Sequence, residues 1–224
     1  MKRSRFLILF LAMGLVFGVH SFSFATPTLQ LTQGVNVVTV ADGGLGDMDS
    51  LANNVVIYMG SVGVFTINVT TGLTGAALGV STPYLDLNSI NVTTINGGGT
   101  LEILFSENDY SYAPANYVFS VGGLAAGSAT FEAWLGSNNA LFAKTTQIGS
   151  TLTYPAGPFS GSTSDSMNLA IPYSLTIDAD IVHPGGAQGS SFNAGLTVPE
   201  PGILILLGIA LSVVGVFSRR TSKI

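Results

Sequence analysis

Side chains that could act as a nucleophile or a general base are few in this sequence. Cysteine is absent, and of the two histidines only His183 lies beyond the extreme N-terminal segment. Serines are abundant, but none stands in a Gly-x-Ser-x-Gly elbow. Nucleophilic catalysis needs a base within reach, and a zinc site needs several histidine or cysteine ligands. We therefore expect neither, and we expect His183, beside Pro184, to lie at the surface or in a turn after a strand.

Carboxylates allow one enzymatic alternative, because a glycoside hydrolase needs only two acids at a fixed separation. The candidates are Glu102, Glu107 and Glu132. Glu102 and Glu132 alternate with apolar neighbours, which predicts that both point outward from strands. We therefore favour solvated acids over a catalytic pair and expect the protein not to be an enzyme.

Calcium is the one cofactor that the sequence suggests. Asp42, Asp47 and Asp49 fall within nine residues that also contain three glycines, and oxygen ligands on a flexible loop suit this ion. The segment resembles the Gly-Gly-x-Gly-x-Asp repeat of calcium β-rolls, but Met48 occupies the position of the required acid. The alternative is an acidic turn that keeps the loop soluble. Two further acid pairs share a strand face: Glu107 with Asp109, and Asp178 with Asp180.

Three tyrosines lie close together in the sequence: Tyr110, Tyr112 and Tyr117. Exposed aromatic rings of this kind could form a platform on which sugar rings stack. The alternative is a loop that packs against the domain. Exposure of the rings decides between a carbohydrate-binding module and a purely structural body.

The formal net charge is more negative for the body of the chain than for the whole chain, which has −5. Six of the seven cations lie at the two ends, so residues 26–199 contain one, Lys144, against eleven acids, a formal charge of −10. Such a body repels phosphate backbones, which excludes nucleic acid as a partner. The absence of cysteine also excludes disulfides, so stability must come from apolar burial.

Residues 26–197 are predicted to form one all-β extracellular domain, a single antiparallel β-sandwich of jelly-roll type. Apolar and polar residues alternate with period two in many short runs, for example at 66–69, and Gly, Asn and Asp break the runs. No stretch of twelve residues has a convincing helical period. We expect the Ser- and Gly-rich stretch 160–168 to be a long loop.

The N-terminus has the three parts of a secretory signal peptide over residues 1–25. Lys2, Arg3 and Arg5 precede an apolar run of about 14 residues, and a small-x-small ending follows. Cleavage by signal peptidase is expected between Ala25 and Thr26.

The C-terminal tail, residues 198–224, contains a proline-rich motif, an apolar run and cations in that order. Val198, Pro199, Glu200 and Pro201 precede the apolar residues 202–217, which predict a transmembrane helix. Cations at the end of a span predict a cytoplasmic side, so the body is expected outside the cell. These cations are Arg219, Arg220 and Lys223.

The order Pro-Glu-Pro, apolar helix and Arg-Arg cluster resembles the PEP-CTERM sorting tail, which is also filed as an ice-binding protein C-terminal domain. The resemblance implies recognition and cleavage near Pro199–Pro201 by an exosortase, and association with extracellular polysaccharide and biofilm. It implies nothing about ice binding by the body.

Together these features predict a non-enzymatic exported protein of the cell envelope, outer surface or extracellular matrix, held transiently in the inner membrane by its tail. A carbohydrate-binding module is the alternative function, and a paired-carboxylate glycoside hydrolase is the third.

Overall fold

The computed structural model describes residues 26–78, 82–111, 116–167 and 170–198, which form two antiparallel β-sheets packed face to face. The strands are β1 (Thr28–Gln33), β2 (Asn36–Ala41), β3 (Val55–Val62), β4 (Phe65–Thr74), β5 (Tyr84–Thr94), β6 (Gly99–Tyr110), β7 (Asn116–Ala125), β8 (Ser128–Gly136), β9 (Thr146–Gln147), β10 (Leu152–Tyr154), β11 (Gly157–Ser166), β12 (Tyr173–His183) and β13 (Gln188–Thr197). One 3-10 turn, Gly75–Leu78, follows β4.

The period-two pattern decides which side chains face the core. Along β5, Leu85 and Leu87 are buried, then Ser89 adopts a left-handed backbone (φ 54°) and shifts the pattern so that Ile90 and Val92 are buried next. This irregularity lies opposite Asn193 of β13, where the strand register also shifts. Such bulges insert a residue without turning the apolar face outward.

The strand order is that of a jelly roll extended by two hairpins. The seven-stranded sheet has the order β10-β8-β12-β6-β1-β2, with β9 also pairing with β8, and the six-stranded sheet has the order β11-β7-β13-β5-β4-β3. Strands β12 and β13, last in the chain, each lie in the interior of a sheet. The predicted all-β sandwich of jelly-roll type is confirmed by this pairing.

The sandwich has two ends, which we name by what lies there. The terminal end contains Thr26 and Val198, where the described chain enters and leaves, together with the loop 42–54 that follows β2. The turn end contains the hairpin turns at 34–35 and 63–64, and the connection 95–98 that joins β5 of one sheet to β6 of the other. Strand registers fix this division, because Thr28 pairs with Ala41 at one end and Gln33 pairs with Asn36 at the other.

Two sequence expectations about local structure are wrong. The Ser- and Gly-rich stretch at 160–166 belongs to β11, which is paired with β7 over ten residues, so backbone hydrogen bonds override the loop-like composition.

His183 is the last residue of β12 and only 1% exposed, so it is not a surface residue. Its ring nitrogens lie 3.2 Å from Thr94 Oγ1 and 2.9 Å from Ser190 Oγ, and burial lowers its pKa.

A polar cluster is buried at the terminal end. The Tyr110 hydroxyl donates a hydrogen bond to Glu107, the Tyr110 ring stacks on Tyr173 at 5.5 Å, and the Tyr117 hydroxyl donates to the Tyr173 oxygen at 2.8 Å. Glu107 is 4% exposed, and burial raises its pKa to about 7, although the hydrogen bond from Tyr110 opposes the shift. A carboxyl group enclosed in this way is more stable in its neutral form.

Within the described ranges, no helix is long and apolar enough to cross a bilayer. The predicted signal peptide, 1–25, and the predicted helix at 202–217 lie outside these ranges.

Glu107 makes stability depend on pH in a definite direction. Its folded-state pKa of about 7 lies above the ordinary value of 4.5, so the folded state binds more protons between these values. The free energy of unfolding should therefore fall as pH rises from 5 to 8, by at most roughly 3 kcal/mol from this group. Glu107→Gln should remove most of the fall in urea titrations at the two pH values. An unchanged pH dependence in the variant would contradict the assignment.

Candidate functional site

The three candidate catalytic acids do not converge in the structure. Glu107 faces the interior, whereas Glu102 and Glu132 lie on the outer face of the seven-stranded sheet. Glu132 accepts hydrogen bonds from Trp134 Nε1 at 3.0 Å and Thr151 Oγ1 at 2.7 Å, and Glu102 accepts one from Lys144. The described residues therefore offer no facing pair of glutamates across a cleft.

The predicted calcium loop uses its carboxylates differently. Asp47 accepts hydrogen bonds from the backbone amides of Gly43, Asp49 and Ile57 at 2.9–3.2 Å. Asp42 accepts from the amides of Asn53 and Asn54, and Asp49 accepts from the Asn53 side chain. In the part of the chain that the structure covers, no three acids or histidines are grouped to hold a metal ion. The oxygens of Asp42 and Asp47 cap the loop backbone, and calcium binding by Asp42, Asp47 and Asp49 stays a prediction.

The predicted tyrosine platform is also not formed. Tyr117 is 0% exposed and belongs to the core, and Tyr110 is partly buried against Tyr173. Neither ring is presented for stacking on a sugar. Tyr117 follows the inward alternation of β7, and Tyr110 stacks on Tyr173 after the left-handed residue Asp109 (φ 61°) interrupts the alternation of β6. Tyr112 lies outside the described residues.

The predicted processing sites fall mostly beyond the described part of the chain. Thr26 is exposed, and Val198 packs partly against the core directly after β13. Ala25 and the remaining motif and cation positions lie outside: Pro199, Glu200, Pro201, Arg219, Arg220 and Lys223.

A polar groove runs over the outer face of the six-stranded sheet, across β5, β13 and β7. It consists of two adjoining depressions of about 280 and 360 Å³ that share Gly122 and Asn193. We call it the outer groove; its other lining residues include Tyr84, Asp86, Ser89, Asn91, Ser120, Ser191, Gly195 and Thr197. Along β13 it extends from Ser191 to Thr197, about 20 Å at strand rise.

Missing side chains create the groove. Gly195 pairs with Asp86 on one side and Ser120 on the other, and Gly122 pairs with Asn193. A Cβ added at Gly195 would meet Asp86 Oδ1 at 3.6 Å and Ser120 Oγ at 3.9 Å, which is ordinary contact. The glycines are therefore not required by packing, and their effect is to leave a channel between flanking polar residues.

Planar polar side chains are held in place along this channel. Asn193 Oδ1 accepts a hydrogen bond from the Ser89 amide at 2.6 Å, which ties the bulge of β5 to β13. Burial raises the pKa of the Asp86 carboxyl, while hydrogen bonds from Tyr84 and Asn88 lower it. Burial and then Asp86 raise the pKa of Tyr84, so its hydroxyl stays protonated at neutral pH. The groove thus presents amide, hydroxyl and carboxylate groups beside one aromatic ring.

The opposite outer face, on the seven-stranded sheet, is acidic, and Lys144 lies over part of it. Lys144 Nζ lies 2.6 Å from Asp178 Oδ2 and 3.1 Å from Glu102 Oε1. Burial raises the pKa of Asp178 to about 6, Lys144 opposes this, and the neighbouring acids Asp180 and Glu102 add to it. The only lysine of the described residues is therefore used to offset a buried carboxylate.

Hydroxyl-rich, uncharged ligands suit the outer groove chemically. Asparagine amides donate and accept at once, serine and threonine hydroxyls rotate to suit a partner, and a tyrosine ring offers an apolar surface with a polar tip. Sequence reasoning missed these residues. Their outward alternation on β5 and β13 was visible, but the placement of β13 between β5 and β7 was not.

No known family model matches the sequence, and no curated protein matches it. Among solved structures, the chain is similar to TmCBM61 in complex with β-1,4-galactotriose (8% identity, TM-score 0.37, covering 61% of this chain and 83% of that one). It is similar to the PA14 sugar-binding domain from an RTX adhesin (10%, 0.35, 78% and 90%). It is also similar to the C-terminal CBM6 of a Zobellia galactanivorans enzyme, LamC (15%, 0.27, 49% and 80%). These likenesses are too distant to bear on function.

Removing the lysine from the acidic face should destabilise the domain. Lys144→Met would leave the Asp178 side chain, 8% exposed, without its cation. We expect a loss of about 1–3 kcal/mol at pH 7, below the value for a fully buried pair because the lysine is 31% exposed. Chemical denaturation of this variant, of Asp178→Asn and of the double variant measures the coupling. Strictly additive losses would show that the ion pair contributes nothing.

Proposed function

We propose that this protein is a non-enzymatic, exported surface or matrix protein whose body binds neutral polysaccharide in the outer groove. The observation that carries the proposal is the glycine-lined channel flanked by Asn193, Asp86 and Tyr84. Binding sites combine a concave surface with a few placed polar groups, and this channel has both.

Charge favours an uncharged ligand. Residues 26–199 have a formal charge of −10, and Asp86 lies in the groove itself, so an anionic glycan would be repelled. A neutral glycan carries hydroxyls that pair with amide and hydroxyl groups. Glu107 faces the core, and Glu102 and Glu132 lie on the opposite sheet from the groove, which supports binding in the groove without cleavage.

Export and sorting form the second part of the proposal. The signal peptide is removed between Ala25 and Thr26, and an exosortase acts near Pro199–Pro201, after the helix at 202–217 has held the chain in the inner membrane. The position of Val198 supports this route, because it directly follows β13 and places the motif next to the end of the fold.

A side chain that fills the groove should weaken glycan binding without lowering the stability of the fold. Gly195→Val places a branched side chain between Asp86 and Ser120, and we expect at least about tenfold weaker binding. The full chain in detergent is measured by retention on insoluble and gel-embedded neutral polysaccharides.

Gly189→Val is the matched control. It lies on the same strand, outside the groove, where an added Cβ would meet only Thr93 Cγ2 at 3.9 Å. Equal retention of both variants would refute the assignment of binding to the groove.

Intact mass and membrane partition of the protein from its native host test the sorting route. A mature form that starts at Thr26 and ends near Pro199–Pro201 is expected in the envelope or matrix. A membrane form that keeps residues 202–224 would instead mean an ordinary anchored ectodomain.

A further inference from the structure

The loop 42–54, between β2 and β3, turns Asp47 inward and its apolar side chains outward. Asp47 is 8% exposed and its two carboxylate oxygens accept three backbone amides, as described above. Leu45 is 98% exposed, and Met48 and Leu51 are each 61% exposed. Surface loops normally do the reverse, because the exposure of apolar side chains to water is unfavourable.

The exposed residues cannot be withdrawn by a small rearrangement. Asp42 accepts the amides of Asn53 and Asn54, which joins the two ends of the loop, and the Met48 amide donates to the Ile57 carbonyl at 2.8 Å. Turning the leucines inward would break these bonds and leave buried polar groups unpaired. Several exposed apolar residues presented together on a fixed backbone mark a surface that meets an apolar partner.

The position of the loop identifies that partner. The loop lies at the terminal end, where the described chain leaves at Val198. Three residues, 199–201, separate Val198 from the apolar run that starts at Gly202, and three extended residues plus the joining bonds span at most about 14 Å. A bilayer that holds this run therefore lies close to the terminal end.

We propose that the loop 42–54 docks on the lipid bilayer in which the C-terminal tail is held, with Leu45, Met48 and Leu51 in the interfacial layer. This inference rests on the proposed anchoring of the tail. The same end of the sandwich exposes two further apolar side chains, Leu78 and Ile171. Amphipathic surface segments bind membranes by this kind of shallow apolar insertion.

The carboxylates of the loop are not its most exposed groups. Asp42, Asp47 and Asp49 accept hydrogen bonds within the loop and are buried or half-buried, whereas Leu45, Met48 and Leu51 are exposed. A second copy of the chain is a poorer partner, since two bodies that each have a formal charge of −10 over residues 26–199 repel each other, whereas zwitterionic lipid headgroups carry no net charge. Docking would fix the orientation of the domain, with the turn end directed away from the membrane.

The chain has no cysteine, so a single introduced thiol can report the environment of one position. Leu45→Cys carries an environment-sensitive dye at the terminal end, and Val35→Cys, at a residue 96% exposed at the turn end, is the matched control. The exported chain that keeps its tail, made in a bacterium without an exosortase, is reconstituted into vesicles of phosphatidylethanolamine and phosphatidylglycerol. Aqueous iodide and nitroxide-labelled lipid are the two quenchers, and flotation on a density gradient reports anchoring.

We expect the Leu45→Cys label to be several-fold less quenched by iodide than the Val35→Cys label, and to be quenched by the nitroxide lipid. If the chain floats with the vesicles but both labels are equally open to iodide, the docking is overturned while the anchoring stands. If the chain does not float, the anchoring fails and the docking with it. Shielding that disappears on dilution of the protein in lipid would assign the surface to a second copy and overturn the proposal.

Discussion

The central position of β12 and β13 is the constraint on which the rest of the molecule depends. β12 joins β6 to β8 in one sheet, and β13 joins β5 to β7 in the other. Without this pair, each sheet would separate into fragments with open hydrogen-bonding edges. The same two strands bring Asp178 beneath Lys144 and bring Gly195 between Asp86 and Ser120. Stability and the candidate binding surface therefore come from the same long-range pairing.

The two outer faces divide the charge of the body unequally. Acids collect on the outer face of the seven-stranded sheet, where one lysine offsets the most buried of them, while the strands of the six-stranded sheet carry two acids, Asp86 and Asp165. The acidic face and the face with the groove therefore have different electrostatic properties. The acidic side disfavours the close approach of a second copy, and the less acidic side can approach an uncharged, hydroxyl-rich surface at lower electrostatic cost.

The sequence predicts what local patterns determine and fails where distant strands meet. Alternation along β4 and β5 is enough to predict strands, and the absence of helical periodicity is enough to predict an all-β sandwich. β11 could not be predicted because its Ser- and Gly-rich composition is compensated by pairing with β7. Tyr117 and His183 were misplaced because their partners, Tyr173 and Ser190, come from distant or unrecognised strands. The acids of 42–54 suggest a metal by composition, but composition does not reveal that Asp42 and Asp47 accept backbone amides of the loop.

The glycines of the outer groove also bear on how its specificity can change over evolutionary time. Gly122 and Gly195 have conformations that other residues adopt, and a side chain at either position would meet no closer than ordinary contacts. Most positions that shape a binding surface also support the core, so a change of ligand usually costs stability. Here single substitutions can alter the channel while the sandwich stays intact. The shape of the proposed glycan-binding surface is thus free to change without compensating mutations elsewhere.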